Sequence, residues 1–148
     1  MDKTIEGVIV TQLKQVRNPK GDILHGLRFS ESSYNGFGEA YFSCILPKEI
    51  KGWKKHKLAQ LNIIVPLGEI EFVLFDNRLN STTNGTFQSV ILGPSSENTY
   101  KRLTIPNEIW VAFRSTRNEI GILLDIMDIE HSDLESEKES LDFIKFAW

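Results

Sequence analysis

The densest chemistry in the sequence lies in the segment KEIKGWKKHK. There Lys48, Lys51, Lys54, Lys55 and Lys57 supply five of the chain's 17 lysines and arginines. Lysine ammonium groups bind phosphate as point charges, Trp53 adds a flat apolar face among them, and Gly52 lets a ligand approach the backbone. The pattern points to an anion site for a phosphorylated small molecule, against the plainer reading of a solvated lysine loop. On an extended chain alternate residues share a face, so Lys54 and His56 project together while Lys55 and Lys57 point the other way. If the first pair faces into a β-barrel, burial lowers the pKa of Lys54 and makes it a candidate base. If it faces outward, both groups stay solvated. Arg78 and Arg102 are placed to add bidentate phosphate contacts.

Other residues carry two readings each. Trp110 either stacks a base or sugar together with Trp53 or packs in the core. Asp76 and Arg78 alternate on one strand face, as an internal ion pair or with Arg78 turned to a phosphate. Cys44, between Phe42 and Leu46, reads as a small buried apolar residue. The chain's three histidines, His25, His56 and His131, are far apart and form no His-x-His. That spacing predicts no metal site, and nothing in the sequence implies a cofactor.

The elements that must position these groups are strands. Alternating or β-branched runs cover Gly7 to Leu13, Ile23 to Phe29, Glu39 to Leu46, Gln60 to Leu67, Glu69 to Arg78, Phe87 to Leu92, Tyr100 to Ile105, Glu108 to Phe113 and Ile120 to Asp128. Gly, Pro and Asn punctuate them, which predicts an all-β sandwich, barrel or jelly roll. A capped acidic stretch, Ser132 to Ser140, is the one helix candidate, with a surface turn as its alternative. No repeat or linker divides residues 1–148, so one domain is expected.

Composition sets the outer limits. A formal net charge of -3 argues against a general nucleic-acid binder. The apolar runs fall far short of the ~20 residues of a membrane span. The N-terminal residues MDKTIEGVIV lack the apolar core of a signal peptide, and the lone Cys44 fits a reducing compartment. A cytoplasmic protein with no membrane partner is the expectation.

The order of motifs resembles the cupin-fold sugar-nucleotide epimerases typified by dTDP-4-dehydrorhamnose 3,5-epimerase. Lys51-Gly52-Trp53-Lys54 stands where that family has Arg-Gly-x-His. The run from Gly68 through Val73 and Asp76 to Arg78 resembles its Gly-x-x-x-x-Val-x-x-Asp-x-Arg strand. Ser81-Thr82-Thr83-Asn84-Gly85, Leu103-Thr104-Ile105-Pro106 and the ending from Asp142 through Ile144 to Trp148 follow in the family's order. The resemblance implies a cupin-type double-stranded jelly roll or β-barrel with at most a short C-terminal helix. It also implies a nucleotide-sugar substrate, a 4-keto-6-deoxy sugar, and a homodimer that exchanges N-terminal strands.

The departures fall on the chemistry. Lys54 occupies the place of the family's catalytic His, and the related 3,4-ketoisomerase pattern Arg-Gly-x-His-x-His survives only as His56, followed by Lys57. The strand from Gly121 to Asp128 lacks the family's Tyr, and Ile105 to Phe113 lacks its second His. What the resemblance leaves is an isomerase or epimerase with Lys54 or His56 as base. Lys51, Trp53, Lys57 and Arg78 would hold the ligand, Lys57, Gln60 or Asn62 would polarise its carbonyl, and Trp110 would stack it. His25 stands where the family often carries a ligand-facing Glu. A sugar- or nucleotide-binding cupin without catalysis, or a structural protein, are the alternatives.

Overall fold

The computed structural model describes residues 3–148. Two antiparallel five-stranded sheets face each other. The first runs β1 (Ile9–Gln12), β9 (Lys101–Ile105), β6 (Leu61–Leu67), β11 (Gly121–Met127), β4 (Glu39–Ile45). The second runs β12 (Ser136–Lys138), β5 (Ile50–His56), β10 (Ile109–Ser115), β7 (Ile70–Asp76), β8 (Thr86–Leu92). A small hairpin of β2 (Gln15–Val16) and β3 (Ile23–Leu24) lies apart. Most sheet neighbours are far apart in sequence, as in a cupin-type jelly roll.

Side-chain alternation builds the core between the sheets. Leu61, Ile63, Val65, Leu103 and Leu123 of the first sheet meet Ile70, Phe72, Leu74 and Val111 of the second. The outer face of the second sheet carries Trp53, Val73, Trp110 and Ala112, and the C-terminal segment covers them with Ile144, Phe146 and Trp148. On the outer face of the first sheet, the fully buried Arg102 bonds Asn62 Oδ1, the Gly26 carbonyl and Ser33 Oγ, and pairs with Glu31. That network ties the irregular stretch after β3 to the sheet.

Three expectations change. Residues 132–140 form no helix: a turn leads into β12, which pairs with β5, and only Leu141–Phe143 make a 3-10 turn. Glu135 accepts hydrogen bonds from the backbone N–H groups of Leu58 and Ala59, and these partners hold the segment extended against its local helix signals. Only Ile23 and Leu24 of the run Ile23 to Phe29 are in a strand. Cys44 is exposed, because β4 is an edge strand whose Phe42–Cys44 face looks outward. Among the described residues no helix is long and apolar enough to cross a membrane.

Candidate active site

A bulge in β5 sets up the site. Lys54 pairs with Val111 and Lys51 with Phe113, so Gly52 and Trp53 together oppose Ala112. The extra residue puts Lys51 and Lys54, three positions apart, on the same inner face, and sends the Trp53 indole outward. Gly52 has φ +147°, and a Cβ there would stand 2.4 Å from the Ala112 Cβ. Only glycine fits this bulge.

Between the sheets at this end lies a cavity of about 780 Å³. Leu61, Ile63, Phe72 and Leu123 make its walls apolar, and the polar groups stand on opposite sides. The first sheet supplies Tyr41 and Asp125, direct cross-strand partners, with the Tyr41 hydroxyl donating to Asp125 Oδ2 at 3.0 Å. Asp125 is buried, and its Oδ1 has no hydrogen-bond partner among the described residues. Burial pushes its carboxyl up to about 7, against the opposing pull of Tyr41 and Lys54. The Tyr41 hydroxyl is raised well above its ordinary range by burial and by the neighbouring Asp125 charge.

The second sheet supplies Lys54 and His56. Burial lowers the Lys54 ammonium, and the Lys138 charge adds to the effect. His56 Nδ1 lies 2.8 Å from Glu135 Oε2. Burial lowers the imidazole despite this partner. Burial alone would raise Glu135, but the hydrogen bonds from His56, Ala59 and Leu58 outweigh it and hold the carboxylate below its usual range. These directions describe a neutral ring donating Nδ1–H to a carboxylate, which leaves Nε2 as the basic nitrogen. At the rim, Lys51 Nζ donates to the Cys44 carbonyl at 2.6 Å and to Ser43 Oγ at 3.3 Å.

The chain is 37% identical to a dTDP sugar isomerase from Desulfovibrio desulfuricans G20. That crystal structure matches with a TM-score of 0.92 over 97% of this chain and 92% of the other. The protein belongs to this family of dTDP-sugar isomerases. It is also 25% identical over 137 residues to the probable low-salt glycan biosynthesis epimerase Agl13 of Haloferax volcanii, covering 88% of this chain and 86% of the relative. The fold is shared with a dTDP-4-dehydrorhamnose 3,5-epimerase from Sulfolobus tokodaii, at 22% identity and a TM-score of 0.79, over 99% of this chain and 86% of that one. No family model matches the chain.

The cavity of this chain gathers Lys54 and His56, which share the alternation face, and Lys51, which the motif order adds, with Trp53 present on the wall at the bulge. The Trp53 indole itself packs outside and donates Nε1–H to the Ile144 carbonyl at 3.2 Å. Lys57, Gln60, Asn62, Arg78, Trp110 and His25 do not line the cavity. Parity explains two of them: Asn62 sits between the inward Leu61 and Ile63, and Trp110 precedes the inward Val111, so both face outward. Trp110 lies beneath Lys55, whose Nζ is 5.0 Å from the ring centroid. Gln60 Nε2 and Asn62 Nδ2 both donate to the Ser33 carbonyl, on the outer side. Lys57 Nζ lies 3.9 Å from Glu137. Arg78 is the ion-pair partner of Asp76 and also bonds the Glu6 carbonyl. The backbone carbonyl of His25 accepts the Tyr100 hydroxyl.

The residues that sequence reasoning missed are Tyr41, Asp125, Glu135 and His131. An acid inside the apolar strand GILLDIM is a readable signal for Asp125. Tyr41 shares the alternation face of Ile45, a core residue. Glu135 and His131 arrive from the loop and turn after β11, where nothing local marks them. One ligand atom each from His56, His131 and Glu135 lie within 4.8 Å of one another, although the histidines are far apart in sequence.

Proposed function

We propose that this protein is an epimerase or isomerase of a nucleotide-linked 4-keto-6-deoxy sugar in glycan-precursor synthesis, working by proton transfer across the cavity. The observation that carries the reading is the placement of His56, backed by Glu135, on one wall and of the Tyr41–Asp125 pair on the opposite one. His56 Nε2 takes the proton from the carbon next to the ketone, and the proton is then held on the ring beside the Glu135 carboxylate. Lys54 stabilises the enolate oxygen that forms. Tyr41 returns a proton to the opposite face of that carbon, and a protonated Asp125 recharges Tyr41. General acid and base groups of this kind are each worth roughly 10²–10⁴ in rate.

Lys51 at the rim is the proposed phosphate contact, with Lys138, the cross-strand partner of Lys54, also lining the cavity. The relatives named for dTDP-sugars and for glycan biosynthesis support a dTDP-linked substrate. The exposed Cys44 is compatible with a reducing cytoplasm. The apolar outer face of β4, with Phe42 68% and Leu46 60% exposed, suits a second copy of the chain, giving a homodimer.

The test is incubation of the purified protein with dTDP-4-keto-6-deoxyglucose in deuterated water. The reading predicts deuterium at a carbon flanking the ketone, and loss of that signal in His56→Ala. Binding of dTDP without any exchange would instead make this a non-catalytic sugar-nucleotide-binding cupin.

A further inference from the structure

Beside the cavity wall that His56 and His131 line, two imidazoles and a carboxylate from three separate segments converge, and the proposed function uses only two of the three. His56 comes from β5, His131 from the loop after β11, and Glu135 from the turn before β12. We propose that His56, His131 and Glu135 form a site for one zinc-class divalent cation.

The donor set is the first argument. Imidazole nitrogen with one carboxylate suits zinc and its first-row neighbours, whereas magnesium and calcium take oxygen. Geometry is the second. A tetrahedral ion with bonds of 2.0–2.1 Å holds its ligand atoms about 3.3 Å apart. His56 Nδ1 and Glu135 Oε2 are 2.8 Å apart, close to that spacing already. One ligand atom from each of the three residues lies within 4.8 Å of the others, at most about 1.5 Å beyond that spacing. The rings of His56 and His131 already meet edge to face, with centroids 6.3 Å apart.

Support behind the ligands is the third. His56 and Glu135 are buried, and Glu135 Oε1 is held by the Leu58 and Ala59 N–H groups, which leaves Oε2 to turn to the ion. His131 is exposed on a loop whose backbone N–H is tied to Glu39 Oε1 at 3.0 Å, so the ligand that must move is the one free to do so. Asp133 Oδ1 lies 3.8 Å from His131 Nε2 and adds negative charge at the rim.

The ion takes the place of the hydrogen between Nδ1 and Oε2. The ring proton shifts to Nε2, so nothing is lost to solvent from the neutral imidazole. A filled site therefore ties up the lone pair that the proposed function needs, and zinc switches off proton abstraction. That consequence rests on the proposed function. The metal site itself does not.

The test titrates the metal-free full chain with Zn²⁺, and with Co²⁺ as a visible-absorbing substitute, in the absence of any sugar nucleotide. One ion per chain is expected, with Co²⁺ bands of a four- or five-coordinate nitrogen–oxygen site. His131→Ala, exposed and outside the proposed catalytic groups, should keep the fold and the thermal melt of the metal-free protein while weakening affinity by about tenfold or more. No saturable uptake up to millimolar metal, or unchanged affinity in His131→Ala, overturns the site. If deuterium exchange never occurs, the titration still decides the metal site.

Discussion

Tyr41 and Asp125 face each other across the β4–β11 ladder, joined by a 3.0 Å hydrogen bond on the cavity wall, and the second carboxyl oxygen of Asp125 has no partner among the described residues. An ionised carboxylate buried among Leu61, Ile63 and Leu123 is costly, so the proton stays on up to about neutral pH. The charged groups that bear on Asp125 are Lys54 from β5, which favours ionisation, and Glu39 from β4, which opposes it. Under the proposed function a protonated Asp125 resupplies Tyr41 after the Tyr41 hydroxyl, which donates to Asp125 at rest, has given its proton to the sugar.

This arrangement predicts the pH dependence of both activity and stability. Inversion at the sugar carbon should fall as pH rises through about 7, because the ionised Asp125 no longer recharges Tyr41. Stability follows the same proton. Between the unfolded carboxyl near 3.9 and the folded one near 7, the folded chain binds more protons than the unfolded chain, so stability decreases with rising pH. The full difference is on the order of 4 kcal/mol. Asp125→Asn keeps an acceptor for Tyr41 and cannot ionise. Urea unfolding at pH 5 and pH 8 should therefore show the variant gaining on the parent protein at pH 8, and parallel curves would refute the buried acid.

Separating the two walls gives a second prediction. His56→Ala removes the base, so both deuterium exchange and inversion should drop by about 10²–10⁴. Tyr41→Phe removes only the donor on the far side. His56 can still take a proton and return it from the same face, so exchange into the starting sugar should continue while the inverted product is lost. Proton NMR in deuterated water distinguishes these outcomes directly, and equal loss of both signals in Tyr41→Phe would place Tyr41 in substrate binding instead.

Lys54 carries the third prediction. As the cation beside the developing enolate, its loss in Lys54→Met should lower kcat by about 10²–10³ with little change in the affinity for dTDP. Lys54→Arg keeps the charge and should restore part of the rate. If Lys54→Met instead raised KM at constant kcat, the lysine would be a phosphate contact.

These residues also show how far the sequence could be read. The strand periodicity located nine of the twelve described strands, because alternation is a local property of each run, and left out β2, β5 and β12. Lys54 and His56 were legible for the same reason. Asn62 and Trp110 were not, because a strand's own pattern does not say which of its two faces looks into the ligand cavity when both are covered. Here Arg102 and Thr104 cover one face at Asn62, and the C-terminal Ile144 and Phe146 cover the sheet at Trp110. Glu135 was hidden further. Its segment reads as a helix start, and only its partners His56, Leu58 and Ala59, some 76 to 79 positions away, make it part of the site. Lys51 joined the inner face through a bulge that shifts parity, which no alternating pattern anticipates.

That bulge yields a prediction about the fold. Gly52→Ala would place a Cβ 2.4 Å from Ala112 Cβ at φ +147°, a backbone region that alanine avoids. The clash is with a packed β10 and cannot be relieved by rotating a long side chain. The variant should lose more than about 2 kcal/mol in chemical denaturation and, where it folds, should move Lys51 and Lys54 out of register and lose activity. Retained stability would mean that the bulge has another conformation open to it.

The outer face of the first sheet carries the last prediction. Phe42 is 68% exposed on β4 and lies directly across the ladder from Leu124, and Leu46 at the strand end and Leu67 beside Ile122 extend the apolar surface. None of these side chains lines the cavity between the sheets. An aspartate at position 42 therefore leaves the cavity and the core untouched in the single chain, but it would bury a charge in any interface formed on this face. Sedimentation equilibrium should show the parent protein as a dimer and Phe42→Asp as a monomer with an unchanged circular dichroism spectrum. A dimer that survives Phe42→Asp would put the contact elsewhere on the chain, and a monomeric parent protein would remove the homodimer altogether.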